Sequence, residues 1–183
     1  MVGQALLLTG RPGVGKTTVI RQVVARLGQQ VGGFYTQEVR AQGRRTGFRL
    51  VALDGPVGTL ASVNGSGRSR VGKYMVHRHD LERVGVGALR RALAQPQVQV
   101  VVIDEIGKME LFSPAFRRAV VDALASPKAV LGTVMAGPEP WADALKARPD
   151  VTLVEVTRDN RDKLAAQILV WLEGVGLSES AQW

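Results

Sequence analysis

Gly10-Arg11-Pro12-Gly13-Val14-Gly15-Lys16-Thr17 decides the fold, and Thr18 follows it directly. The stretch matches G-x-x-x-x-G-K-[ST], the pattern of a phosphate-binding loop. Ala5-Leu-Leu-Leu8 before it reads as a buried strand. The residues after it, through Leu27, read as a helix with apolar positions at 19, 20, 23, 24 and 27. Glycines let such a loop wrap so that its backbone N–H groups point at phosphate oxygens. The helix N-terminus adds partial positive charge. In this pattern Lys16 reaches the β- and γ-phosphates, and the Thr17 hydroxyl holds a Mg²⁺ ion. The expected ligand is a nucleoside triphosphate.

Working outward, Gly32-Gly33 breaks the helical pattern. Three strand-like segments follow, Phe34–Arg40, Gly47–Leu53 and Val57–Val63, separated by Ala41–Arg45 and Asp54–Pro56. Both separators have turn chemistry, so an antiparallel hairpin or meander is expected. Asn64–Arg70 is the candidate mobile loop, Val71–His77 another strand, and 80–94 a partly helical stretch weakened by Gly85 and Gly87. Gln97–Ile103 is an apolar strand ending in Asp104-Glu105. Ser113-Pro114 opens a helix that runs to about Ala125, since Ser caps well and Pro is tolerated at the first helical position. Ala129–Val134 is a buried strand, with a short helix from about Trp141 and a last strand over Thr152–Val156. A final amphipathic helix covers 160–173, with Leu164, Ile168, Leu169 and Leu172 inward. No internal repeat is present.

The alternation predicts one three-layer α/β domain over 1–183. Its central sheet is mostly parallel, an antiparallel insertion follows the first helix, and a frayed tail covers 174–183. Ligands of such sheets bind at the carboxyl ends of the parallel strands.

Composition narrows the class. The chain has 183 residues, enough for a proper core, and no Cys, which excludes disulfides and thiol chemistry. No basic segment precedes the short apolar run near the N-terminus, as a secretory signal would require. No stretch approaches the ~18 apolar residues of a membrane span. A cytoplasmic protein without a membrane partner is expected. The formal charge of +8 admits a polyanionic partner such as nucleic acid. The basic residues form no single block, which favours a triphosphate site in positive surroundings over a nucleic-acid surface. No obligate protein partner is indicated.

Val100-Val101-Val102-Ile103-Asp104-Glu105, continuing into Ile106-Gly107, has the form of a strand that delivers a carboxylate to the site. Asp104 is the expected Mg²⁺ ligand, through a water and facing Thr17. Glu105 is placed to polarise a water for attack on a γ-phosphate. The expected catalytic set is therefore Lys16, Asp104 and Glu105. Charge developing on the γ-phosphoryl calls for a further cation, with Arg11, Arg44, Arg45, Lys108 and Arg161 as candidates. His77 and His79 form a candidate metal pair without an apparent third ligand. Phe34 and Tyr35 are candidates for base stacking, with at least one expected in the core. Trp141, Trp171 and Trp183 read as packing residues or tail. Asn160 and Arg161 stand at a strand-to-helix junction on the same edge, where Thr157 or Asn160 is equally suited to cap the helix.

Asp104-Glu-Ile-Gly-Lys-Met-Glu-Leu111 is more distinctive than a strand-end carboxylate. It resembles the signature of the small nucleoside triphosphatases described in hyperthermophiles and, in humans, as the cancer-related nucleoside-triphosphatase. Gly10–Thr18, Gly33–Arg40, Gly43–Phe48, Val71–Tyr74 and Val156–Arg161 resemble that family's motifs in the same order, up to about Leu172. The resemblance implies a RecA-like P-loop NTPase fold and Mg²⁺-dependent hydrolysis of several nucleoside triphosphates to diphosphate and phosphate. It marks 10–17 and about 100–107 as the two nucleotide-binding segments. One departure is Met135-Ala-Gly-Pro138, where many relatives carry a proline directly after the strand; a differently shaped loop is expected there, and no base or sensor contact is carried over to it. Two competing readings remain at this stage: a nucleotide or polynucleotide kinase, and a nucleotide-dependent RNA-binding switch.

Overall fold

Ala5–Thr9 forms strand β1, and its side chains feed two separate cores in alternation. Ala5 and Leu7 join one core, Leu6 and Leu8 the other. The computed structural model describes residues 3–65 and 67–176. The same alternation runs through β7 (Val100–Ile106): Val101 and Ile103 face the first core, Val100 and Val102 the second. A strand buried on both faces must be apolar at every position. Helices α1 (Lys16–Leu27) and α6 (Arg161–Gly174) cover one face through Ile20, Leu164 and Ile168. Helices α3 (Gly87–Ala94) and α4 (Pro114–Ala125) cover the other through Leu89, Phe116 and Val120. This is the three-layer arrangement expected.

The remaining strands are β2 (Val31–Ala41), β3 (Arg44–Ala52), β4 (Val57–Ser62), β5 (Arg70–Val71), β6 (Tyr74–Val76), β8 (Ala129–Val134) and β9 (Val151–Glu155). All nine share one sheet in the order β5-β6-β4-β3-β2-β7-β8-β1-β9. Pairings from β2 through β9 are parallel, and those from β2 out to β5 are antiparallel. The antiparallel insertion therefore extends the sheet from β2.

Several boundaries differ from the sequence reading. Gly32-Gly33 does not break the chain but lies inside β2. There a Cβ on Gly33 would sit 2.1 Å from the Val102 carbonyl oxygen, and one on Gly32 would sit 2.7 Å from Ala92 Cβ. The glycines mark close packing within a strand. The expected strand Val71–His77 is divided by a tight turn at Gly72-Lys73 into β5 and β6. β7 starts at Val100 and carries Asp104 and Glu105 inside it, ending at Ile106. Residues 78–94 are helical throughout: α2 (Arg78–Asp80), a π-type segment over Leu81–Val86, then α3. Helix α5 (Pro140–Lys146) fills the expected short helix. Ser113 caps α4 as read, its Oγ accepting from Phe116 N at 3.1 Å and donating to Glu82 Oε1 at 2.7 Å. Of the expected loop and tail, Ser66 and residues 177–183, with Trp183, lie outside the described residues.

Two features of this sheet build a site. First, β2 pairs with β7 only over Val31–Phe34, while its remaining residues pair with β3 alone. The β2–β3 ribbon thus overshoots the carboxyl edge of the parallel strands. Second, the β7–β8 register slips: Ile103 faces Gly132, but Ile106 faces Val134. Asp104 and Glu105 oppose the single residue Thr133, a bulge of the kind that re-aims side chains.

Gly33→Ala is expected to cost about 3 kcal/mol, because the added methyl meets backbone and φ there is +108°. Urea unfolding checks this, and a midpoint equal to wild type would refute the close-approach account.

Candidate functional site

The loop from β1 to α1 turns through three positive-φ glycines, Gly10, Gly13 and Gly15. It brings Lys16 and Thr17 to the start of α1, at the carboxyl edge of β1. Lys16 is nearly buried, its Nζ donating to the carbonyls of Gly10 (2.9 Å) and Arg11 (3.2 Å). A cavity of about 680 Å³ opens beside it. From this loop and α1 the cavity is lined by Gly10, Pro12, Gly13, Gly15, Lys16 through Thr18, and Arg21. Arg11 and Val14 are not part of its wall.

Of the second expected segment, Glu105 lines the cavity. Val100 through Ile103 and Ile106 are buried strand residues beneath it. Asp104 is fully buried. Its Oδ1 accepts from Thr133 Oγ1 at 2.6 Å, and its Oδ2 has no hydrogen-bond partner among the described residues. An orphaned buried carboxylate oxygen, with the Thr17 hydroxyl nearby lowering the acid's pKa, fits a hard divalent cation. No group of three His, Asp or Glu able to hold a metal occurs among the described residues. Any such ion would complete its shell with phosphate oxygens and water.

A third carboxyl joins these two. Glu110, on the 3₁₀ turn Glu110–Phe112, folds back into the cavity wall and is almost fully buried. Glu105 Oε1 and Glu110 Oε2 lie 2.7 and 3.1 Å from where a Gly107 Cβ would stand, so only glycine leaves room between them. None of Asp104, Glu105 and Glu110 forms a salt bridge among the described residues. Burial pushes all three above the usual carboxylate range. For Asp104, the bond from Thr133, the nearby polar groups of Thr17 and Thr36 and the charge of Lys16 work against this. For Glu105, Lys16 opposes and Asp104 adds to the rise. Glu110 is raised well above its ordinary value, by burial and then by the charge of Glu105.

The candidate cations separate cleanly. Arg45 and Lys108 line the cavity; Arg11 and Arg44 are exposed away from it. Arg161 packs behind the loop, its Nη1 donating to Val14 O at 3.3 Å. Phe34 is buried edge-on to Phe116, and Tyr35 lies under the Arg21 guanidinium; neither reaches the cavity. His77 bonds Ser62 and His79 is exposed, so the two rings share no site. Trp141 and Trp171 pack against the two cores. The Asn160 side chain accepts from Thr157 N and donates to Glu155 O, which ties the junction together without capping α6.

Sequence reasoning missed Glu110 and Thr133. A lone Glu between Met109 and Leu111 carries no periodic signal, and Thr133 reads as one more strand residue. It also did not bring the far wall together, although Gly33–Arg40, Gly43–Phe48 and Val71–Tyr74 stand out as motifs and Arg45 as a candidate cation. Thr36, Gln37 and Glu38 come from the overshoot of β2, Arg45 and Phe48 from β3, Leu60 from β4 and Val71 from β5. Met109 and the loop Met135-Ala136-Gly137 complete it, so the departing loop does reach the cavity.

The chain matches the model of the NTPase family over residues 5–169. It is 45% identical to the nucleoside-triphosphatase THEP1 of Thermotoga sp. (strain RQ2), covering 90% of this chain and 92% of that protein. It is 41% identical to the human cancer-related nucleoside-triphosphatase, covering 92% and 96%. The crystal structure of THEP1 from Aquifex aeolicus superposes with a TM-score of 0.84 at 36% identity, over 92% of this chain and 99% of that one. The solution structure of the human protein gives 0.80 at 40% identity, over 94% and 98%.

Raised folded-state carboxyl pKa values mean that the native state binds more protons than the unfolded chain. The protein without nucleotide should therefore lose stability as pH rises from the ordinary Glu value of 4.5 through the folded value of Glu110. Glu110→Gln is expected to flatten that decline. Thermal unfolding followed against pH checks it; parallel curves for the two proteins would refute it.

Proposed function

The chain belongs to the NTPase family and is a nucleoside-triphosphatase, and from that premise we propose Mg²⁺-dependent hydrolysis of ATP, GTP, CTP and UTP to diphosphate and phosphate. The carrying observation is the bulge in β7. It brings the Glu105 carboxyl into the cavity that Lys16 and Thr17 also line, with Asp104 buried directly beneath.

The backbone N–H groups of 10–17 receive the phosphates at the head of α1. Lys16, now held by two loop carbonyls, exchanges these for β- and γ-phosphate oxygens. Thr17 and the unpartnered oxygen of Asp104 would hold the Mg²⁺. That ion supplies positive charge against the phosphates and offsets part of the buried carboxylate charge. Glu105 accepts the proton of the attacking water. Its burial raises its basicity, which suits a general base, while Lys16 keeps it ionisable. Lys108, on the cavity wall, is the candidate cation for charge developing on the γ-phosphoryl; Arg45 lines the cavity too but is engaged by Glu38 and Tyr74.

No helix among the described residues is long and apolar enough to cross a membrane, and we place the protein in the cytoplasm, acting on free nucleotides as one domain.

Glu105→Gln should bind ATP yet release phosphate at least about a hundredfold more slowly, while Lys16→Ala should also weaken binding. Phosphate release from the four triphosphates checks this, and wild-type turnover in Glu105→Gln would remove the general-base assignment.

A further inference from the structure

The cavity runs from the phosphate-binding loop to side chains of β2 through β5. Its phosphate half belongs to the loop after β1. In the sheet order, β1 and β9 lie on one side of the β7–β8 pair and the β2–β6 ribbon on the other. Lys16 and Glu105 stand between these halves. A γ-phosphoryl held by Lys16 and facing Glu105 therefore has open cavity beyond it, on the side away from the loop.

That far half has its own chemistry. Its walls are Phe48, Leu60, Val71 and Met109, with the polar Thr36 and Gln37 at the β2 side. Phe48 meets Tyr74 edge-on at 5.3 Å. The Arg45 guanidinium lies 5.1 Å over the Phe48 ring and 5.6 Å over Tyr74, fixed by Glu38 Oε1 and the Tyr74 hydroxyl, both at 2.9 Å. An apolar wall does nothing for an attacking water. A ring and a fixed guanidinium plane beside apolar side chains suit a flat heterocycle, which stacks on either kind of surface. The whole cavity, about 680 Å³, falls in the size range of small-molecule sites.

We propose that this half is an acceptor site for a nucleoside, so that the protein also transfers the γ-phosphoryl to a nucleoside hydroxyl. The inference rests on the placement of the triphosphate in the proposed function. The acceptor oxygen forms the new bond to the γ-phosphorus. The bond from that phosphorus to the β,γ-bridging oxygen breaks, and the nucleoside diphosphate leaves with its electron pair. The acceptor proton passes to Glu105. The products are a nucleoside monophosphate and a nucleoside diphosphate, and no further reactant is needed.

The test supplies γ-labelled ATP and Mg²⁺ to the full-length protein, alone or with adenosine, guanosine, cytidine or uridine, and separates the labelled products. The expected result is labelled nucleoside monophosphate formed at the expense of labelled phosphate. Val71→Trp, which narrows the far half, should lower the monophosphate yield at least about tenfold more than it lowers phosphate release without acceptor. Normal phosphate release with no labelled monophosphate from any nucleoside overturns the acceptor site and leaves the hydrolase reading standing. Monophosphate that Val71→Trp does not diminish overturns its placement. Transfer without any acceptor-free release would support the acceptor site and defeat the hydrolase reading; loss of both activities would defeat both. Nucleoside that binds only by displacing ADP and Mg²⁺ would assign the far half to the nucleotide's own base and overturn the proposal.

Discussion

Helices cover both faces of the parallel strands, so no polar side chain can point out of their middles without being buried. Val100 through Ile103 and Ala5 through Leu8 are apolar at every position for this reason. The chemistry is displaced to the strand ends. There the backbone leaves regular pairing and polar groups can reach a cavity. The loop after β1, the bulge in β7, the turn after β8 and the overshoot of β2 all meet at that edge.

The same constraint sets the electrostatics. Three carboxyls end up at the rim of a low-dielectric interior, where the charge of Lys16 opposes the rise at Asp104 and Glu105. Their burial is the first cause of each upward pKa shift. Such a cluster is costly while it holds negative charge, and it favours whatever protonates it or brings positive charge to it. A divalent ion against Asp104 would relieve the cost directly. Fixed hydrogen bonding from Thr133 keeps the Asp104 carboxyl in one orientation, with its second oxygen left for another partner.

The far wall follows from the mixed character of the sheet. Had β2 ended where its pairing with β7 ends, the site would be a shallow edge. Because β2 continues to Ala41 and pairs with β3, a two-stranded ribbon rises beside the catalytic edge and encloses volume. The hydroxyl of Tyr74 accepts from Arg45 Nε and ties that side chain to β6. The site thus joins a phosphate-binding edge, built from parallel strands, to a side-chain wall built from antiparallel ones.

Much of this was legible in the sequence. The loop at 10–17 carries its own geometry, because glycine spacing, a following helix and a Lys-Thr pair are local requirements. Strand runs such as Val100–Ile103 and the capped start of α4 at Ser113-Pro114 are equally local, and they placed the layers. What the sequence could not express was any relation between distant segments. Gly32-Gly33 looks like a break until Val102 is seen pressed against it. Asp104 and Glu105 look like the end of a strand until the slipped register with Thr133 appears. Glu110, Phe48 and Val71 stand within motifs that give them no shared place and Leu60 looks like core, and only the overshoot of β2 and the fold-back after β7 bring them to one cavity. Local steric and periodic preferences are written residue by residue. Register, bulges and enclosed volume come from how separate segments pack together, and that is decided only in the folded chain.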